Sequence, residues 1–206
     1  MQWALGFARV RAVVSQLQVR WNSPAGIQRL QRQVTRQTLG QTRPWRFGDL
    51  NQPAKILDDT CQVNFLKVGR FSDPVDDFYG AMGEATLKIA VSGLVTPKGP
   101  GKVAIAVNEL AFYLRDAYDF NDDSFLSQPL GFWGPGGVER TPRSAMDIPL
   151  DEQWMYADAD EAGRQSYLVQ NKHFRQWRAL HGRGGDFMIV SDVHRVRLPF
   201  PVTLEW

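Results

Sequence analysis

Residues 115 to 123 read Arg-Asp-Ala-Tyr-Asp-Phe-Asn-Asp-Asp, which puts the carboxylates of Asp116, Asp119, Asp122 and Asp123 within eight positions of one another. Carboxylates this close repel, so one of them takes up a proton more readily or the group recruits a divalent cation. Asp119, Asp122 and Asp123 are the candidate metal ligands. A carboxylate beside a bound cation can activate water, while the cation offsets phosphate charge. Arg115 and Asn121 flank the acids with a guanidinium and an amide suited to holding a substrate. A calcium EF-hand is excluded, because Ser124 stands where that loop needs glycine and Leu130 where it needs a bidentate acid. In an extended chain Asp116 and Tyr118 share one face and Asp119 takes the other, so a turn is needed to gather them. The competing structural reading is simple: Asp and Asn favour turns, and Tyr118 would close the edge of a core.

A base could come from one of three histidines. His194 is the first choice, since by strand parity it points the same way as Asp192, which could orient its imidazole. The plain alternative is a satisfied core histidine. His181 precedes Gly182, where a helix C-terminus favours an imidazolium, and His173 falls near the start of that helix, at an exposed position. Ser191, Asp192 and His194 are too close along one strand for a triad hand-off. Cys61 reads as a core residue, and as the single cysteine it excludes an intrachain disulfide and a multi-cysteine zinc site.

The elements that must position these groups follow from period and punctuation. Apolar residues spaced by three and four over residues 3–21 predict a helix. Ser23 as N-cap and Pro24 as first helical residue start a second, running to about Leu39 and stopped by Gly40. Its apolar stripe of Ile27, Leu30, Val34 and Leu39 is sparse, which predicts loose attachment. Residues 41–60 read as a connector. From Cys61 the period falls to two: Val63, Phe65 and Val68 predict a strand, and Leu87, Ile89 and Val91 another. Lys98-Gly99-Pro100-Gly101 turns it into a return strand. There the apolar parity switches at Asn108-Glu109, which calls for a bulge, and the strand is expected to end near Arg115. Residues 116–165 read as a long irregular excursion of the kind that carries function. A helix follows from an Asn171 N-cap to Gly182, then a last strand, Phe187 to Leu198.

Charge is distributed unevenly. Eight arginines and no acid precede Asp49. Of 24 basic and 22 acidic side chains overall, sixteen basic and all twenty-two acidic ones remain for the rest of the chain. A basic arm therefore precedes an acidic body, suited to an anionic partner or to complementarity within one molecule. An acid-free, Arg-rich start also resembles a transit peptide, but its packed apolar face argues against that. No apolar run reaches the ~18 residues of a membrane span. No regular aromatic and basic platform suggests nucleic acid.

The run NELAFYLRDAYDFN resembles the catalytic segment of the colicin M family, bacterial toxins that hydrolyse the pyrophosphate linkage of the lipid-linked cell-wall precursor. A strand leads into Asp-x-Tyr-Asp-x-Asn, matched here by Asp116, Tyr118, Asp119 and Asn121. The resemblance implies magnesium-dependent hydrolysis with Asp119 essential and Asp116 and Tyr118 supporting it. The family's His-Arg pair after the motif is replaced by Phe125-Leu126, so either a different histidine, His194 first, supplies the base or the activity is absent. More broadly, WALGFARV, ATLKIAVSGLV, LRDAYDFN with LGFW, and FRQWRALHGRGGDFMIVSDV resemble an uncharacterised bacterial family, some of whose members are encoded near type VI secretion systems.

These readings predict an α+β protein: N-terminal helices, then a largely antiparallel twisted sheet, barrel-like if its edges meet, with one later packed helix. Its expected organisation is a basic helical arm (1–40), a connector (41–60) and a main domain (61–206). The first expected function is a bacterial antagonism effector, made in the cytoplasm and acting in a target cell's periplasm on an anionic lipid-linked substrate. The alternative is a non-catalytic module that binds an immunity or secretion-apparatus protein.

Overall fold

A computed structural model of the chain describes residues 1–38, 40–70, 73–74, 76–118, 129–134, 137–139, 157–159 and 165–206. After a short 3-10 turn, Ala4–Gly6, come α1 (Ala8–Arg20), α2 (Pro24–Thr38), β1 (Trp45–Phe47), α3 (Ala54–Thr60), β2 (Gln62–Val68) and α4 (Asp77–Met82). The central strands are β3 (Ala85–Gly99) and β4 (Lys102–Tyr118). Then follow β5 (Pro129–Gly134), β6 (Gly137–Glu139), β7 (Ala157–Ala159), β8 (Gln165–Gln170), α5 (Asn171–His181), β9 (Phe187–Val190) and β10 (His194–Glu205). Two compact units divide the chain: Met1–Ala117 with Met188–Trp206, and Tyr118–Phe187.

The first unit is built on the β3–β4 hairpin. Pro100-Gly101 closes it, with Gly99 paired to Lys102 and Gly101 at φ +71, the conformation a Pro-Gly turn asks of its second residue. The bulge expected from parity is present: Ser92 faces Glu109 and Gly93 faces Val107, so Asn108 is the extra residue. Beyond it β4 runs to Tyr118, three residues past the expected end: its pairing with β3 stops at Arg115, but β9 also pairs with β4. β1 and β2 both pair with β3, and β9 and β10 both pair with β4. The sheet is open, so the barrel-like alternative does not apply.

Alternation sorts the hairpin into two faces. Leu87, Ile89, Val91, Leu110, Phe112 and Leu114 share one; Lys88, Ala90, Ser92, Glu109, Ala111 and Tyr113 share the other. All except Lys88 are buried, so this sheet is a middle layer. α1 adds Val10, Val14 and Leu17 to the core at helical spacing, and α2 adds Leu30 and Val34.

Residues 41–60 are not a bare connector. They carry β1 and α3 and bury Phe47, Leu50, Ala54 and Leu57. Nor is α2 loosely held, because its polar residues do what its thin apolar stripe does not. Arg29 Nε and Gln33 Nε2 donate to the Gln62 carbonyl at 2.8 and 3.1 Å, and Gln37 Nε2 donates to the Thr60 carbonyl at 3.1 Å. Ser23 receives the Gly26 N–H at 3.3 Å, as its N-cap position predicts. Part of the basic arm is neutralised inside this unit: the Arg9 guanidinium forks onto Asp76, approaches Asp73 at 3.5 Å and lies over the Phe7 and Phe78 rings.

The second unit contains strands in the segment expected to be irregular. Its four-stranded antiparallel sheet has the order β6-β5-β8-β7. α5 follows directly, N-capped at Gln170 rather than Asn171: His173 Nδ1 accepts the Gln170 N–H at 3.1 Å in a capping box. Gly182 ends the helix in the left-handed conformation, φ +59, as its sequence position predicts.

Candidate functional site

The clearest polar constellation in the first unit gathers around Asp58, near the end of α3. Its carboxylate accepts Lys88 Nζ at 2.6 and 2.7 Å, the Tyr113 hydroxyl at 2.9 Å and Arg115 Nη1 at 2.9 Å. Burial alone would raise the Asp58 carboxyl. The Lys88 and Tyr113 hydrogen bonds and the charges of Lys88 and Arg115 outweigh it, so its pKa lies below the ordinary carboxylate value. A carboxylate held by three donor groups is a poor base and a good anchor. Burial, followed by the Asp58 charge and hydrogen bond, drives the Tyr113 phenol well above its usual value, so it stays a donor. The cluster fixes the last paired residues of β4 against α3. A second anchor holds the other edge, where buried Glu109 accepts Arg195 Nε at 2.9 Å and Arg46 lies 3.7 Å away.

Sequence reasoning missed Asp58, Lys88 and Tyr113. The available signal was Lys88 and Tyr113, amphipathic side chains at matching parity within strongly apolar strands, which require a shared polar partner. Their partner comes from a segment read as a connector.

The residues singled out by sequence are placed as follows. Arg115 is committed to Asp58, and its Nε also reaches Met188 Sδ at 3.1 Å. Asp116 is half-buried near the end of β4, and Tyr118 is that strand's last residue. Asp119, Asn121, Asp122 and Asp123 lie outside the described residues. Among the described residues, no group of three or more His, Cys, Asp or Glu side chains could hold a metal ion.

His194 opens β10 opposite Phe112, with the two rings 6.3 Å apart. Asp116 is four residues further along β4, about 13 Å at the usual strand rise, so the structure does not bring these two together. The expected Asp192–His194 pairing fails for a structural reason. The last strand is broken, and Ser191–Val193 form a joint between β9 and β10, so strand parity does not run through Asp192. Ser191 Oγ accepts the Leu114 N–H at 2.9 Å, and the Asp192 carboxylate takes the Met1 ammonium instead.

Cys61 caps α3 and is fully buried. Burial pushes its thiol up to about 11, so it is neither a nucleophile nor a ready metal ligand. The native protein should therefore leave 5,5′-dithiobis(2-nitrobenzoate) unreacted at pH 8, with one thiol appearing in denaturant. Rapid native labelling would show that Cys61 is reachable.

The family described as a family of unknown function, DUF6402, matches residues 1–206. The chain belongs to that family. No curated protein and no solved structure matches it. Membership covers both units, so the Asp motif, the Asp58 anchor and α2 all fall within the family's span. No helix among the described residues is long and apolar enough to cross a membrane.

Proposed function

We propose that this protein is a bacterial antagonism effector that hydrolyses a phosphodiester or pyrophosphate linkage of a lipid-linked cell-wall precursor. Asp119 is the essential carboxylate, and Asp116 and Tyr118 support it. Asp119, Asp122 and Asp123 are the residues that would hold magnesium, which in such chemistry offsets phosphate charge. One observation supports this reading above others: β4 is a single strand from Lys102 to Tyr118, tied at Arg115 to Asp58, and ends within Asp-x-Tyr-Asp-x-Asn. A rigid strand ending in a carboxylate motif is how a scaffold presents a reactive loop. His194 is left out of this set because of its distance along β4 from Asp116. The protein would leave the producing cell through a type VI or similar secretion route, act in a target periplasm, and be countered by an immunity protein.

The test is expression in a bacterial periplasm beside Asp119→Ala. The wild-type chain should arrest growth and turn over lipid-linked precursor with magnesium, and the variant should do neither. Equal growth of both with no turnover refutes the enzyme. A second reading, a non-catalytic module of a secretion or toxin system, is favoured by the Arg115 guanidinium being engaged by Asp58 rather than held open for substrate. Under it, a secretion or immunity protein co-purifies equally with wild type and Asp119→Ala.

A further inference from the structure

We infer that the cleft between α2 and the end of α3 binds a compact phosphate-class oxyanion, a phosphate or diphosphate group. Arg29, Arg32, Gln33, Arg36 and Asp59 line an open cavity of about 260 Å³. Arginines at positions i, i+3 and i+7 share one helix face and span about 10 Å of axis.

Three features go beyond a charged surface. The first is that Arg29 is already oriented: its Nε is held by the Gln62 carbonyl at 2.8 Å, which fixes the guanidinium plane and leaves its remaining N–H donors to an incoming ligand. A guanidinium fork positioned in advance matches phosphate oxygens in pairs and loses little entropy on binding. The second is the charge balance. Among the described residues Arg32 and Arg36 have no acidic partner, and Asp59 is the one acid lining the cavity, so the cleft carries a net positive charge near two. That matches a phosphate or diphosphate dianion. The third is Gln33. Its Nε2 is committed to the Gln62 carbonyl, while its buried Oε1 has no hydrogen-bond partner. A buried acceptor left unsatisfied costs stability, and because Gln33 lines the cavity, a rotation that turns Oε1 toward it would let the P–OH of a partly protonated phosphate satisfy it. This inference rests on α2, α3 and the first residue of β2 and does not depend on the activity proposed for the Asp motif.

Isothermal titration of the full chain with inorganic phosphate and with inorganic diphosphate tests it. The comparison set is the Arg32→Gln/Arg36→Gln double variant and an Arg20→Gln control that removes an exposed charge outside the cleft. Both replaced cleft side chains are exposed, so folding should be unaffected and circular dichroism will confirm it. Saturable binding is expected at low salt, weakened at least tenfold in the double variant, unchanged in Arg20→Gln, and reduced as ionic strength rises. Co-sedimentation with phosphatidylglycerol vesicles, against phosphatidylcholine vesicles, distinguishes a lipid headgroup from a soluble source. Vesicle binding that accompanies diphosphate binding and is lost in the same double variant assigns the phosphate to a lipid. No binding of either soluble anion at 10 mM overturns the inference, as does equal binding by the double variant. Vesicle binding without soluble binding also overturns it, in favour of a diffuse electrostatic surface.

Discussion

Asp58→Ala should destabilise the protein by about 3–5 kcal/mol, the range for stranding charges that lose a buried partner. The Asp58 and Lys88 side chains are 17% and 13% exposed, and removing the carboxylate leaves the Lys88 ammonium, the Arg115 guanidinium and the fully buried Tyr113 hydroxyl without their common acceptor. The penalty comes from the cations left behind rather than from the intrinsic worth of the pair. A combined Asp58→Ala/Lys88→Met variant should therefore recover part of the loss, and the two single effects should not add. Urea denaturation followed by tryptophan fluorescence measures both. A loss below about 1 kcal/mol would mean that the cluster is solvated and behaves as a surface pair.

The same anchor sets a pH dependence. Its native pKa is lowered from the ordinary value of 3.8, so the stabilisation is fully present above that value. It is lost as pH falls through the lower native pKa, because the unfolded carboxylate then binds protons that the folded one resists. Wild-type stability should fall more steeply than that of Asp58→Ala on acidification below about pH 4.

Gly48→Ala should be nearly as damaging, by about 3 kcal/mol or more. Gly48 follows β1 at φ +72, where a side chain is strained. A Cβ there would lie 2.2 Å from the Val91 carbonyl oxygen and 3.3 Å from Cys61 Cβ. The obstacle is backbone of the central strand, so relief requires β1 to move. Moving β1 breaks the Phe47–Gly93 pairing and the 3.0 Å hydrogen bond from Ser92 Oγ to the Phe47 carbonyl. Gly40→Ala separates the two causes, because Gly40 has φ +81 but nothing within 4 Å of a Cβ. It should cost only the backbone strain, about 1–2 kcal/mol. Equal melting temperatures for the two variants would show that the contact with Val91 is not a constraint.

Taken with the Asp58 anchor, the tight seating of Gly48 explains why residues 41–60 could not be read from composition. Pro44, Gly48 and Pro53 are turn signals wherever they occur. Here they punctuate a segment that crosses the sheet closely and inserts Phe47, Leu50 and Leu57 into the core. Their spacing of three and then seven is one that a helix repeats, yet Phe47 lies in β1, Leu50 in a turn and only Leu57 in α3, so periodicity could not assign them. The candidate site shows the same limit. The carboxylate motif was legible because its residues adjoin in sequence. The groups that anchor its strand lie 30 to 57 residues apart, joined only by folding.

By itself, the sequence determined what local physics controls. Helical spacing gave α1 and α2, Pro100-Gly101 the hairpin turn, a parity switch the bulge at Asn108, and Gly182 the end of α5. It also determined the uneven charge, with every acid after residue 48. Tertiary structure decided the rest. It extended β4 to Tyr118, interrupted the last strand at Ser191–Val193, and turned the polar face of α2 into its attachment. It also separated His194 from Asp116 and joined Asp58 to Lys88, Tyr113 and Arg115. The physical reason is that periodicity reports which face of an element is buried but not what covers it. A charged side chain within an apolar strand is explained only by the partner that another segment brings to it.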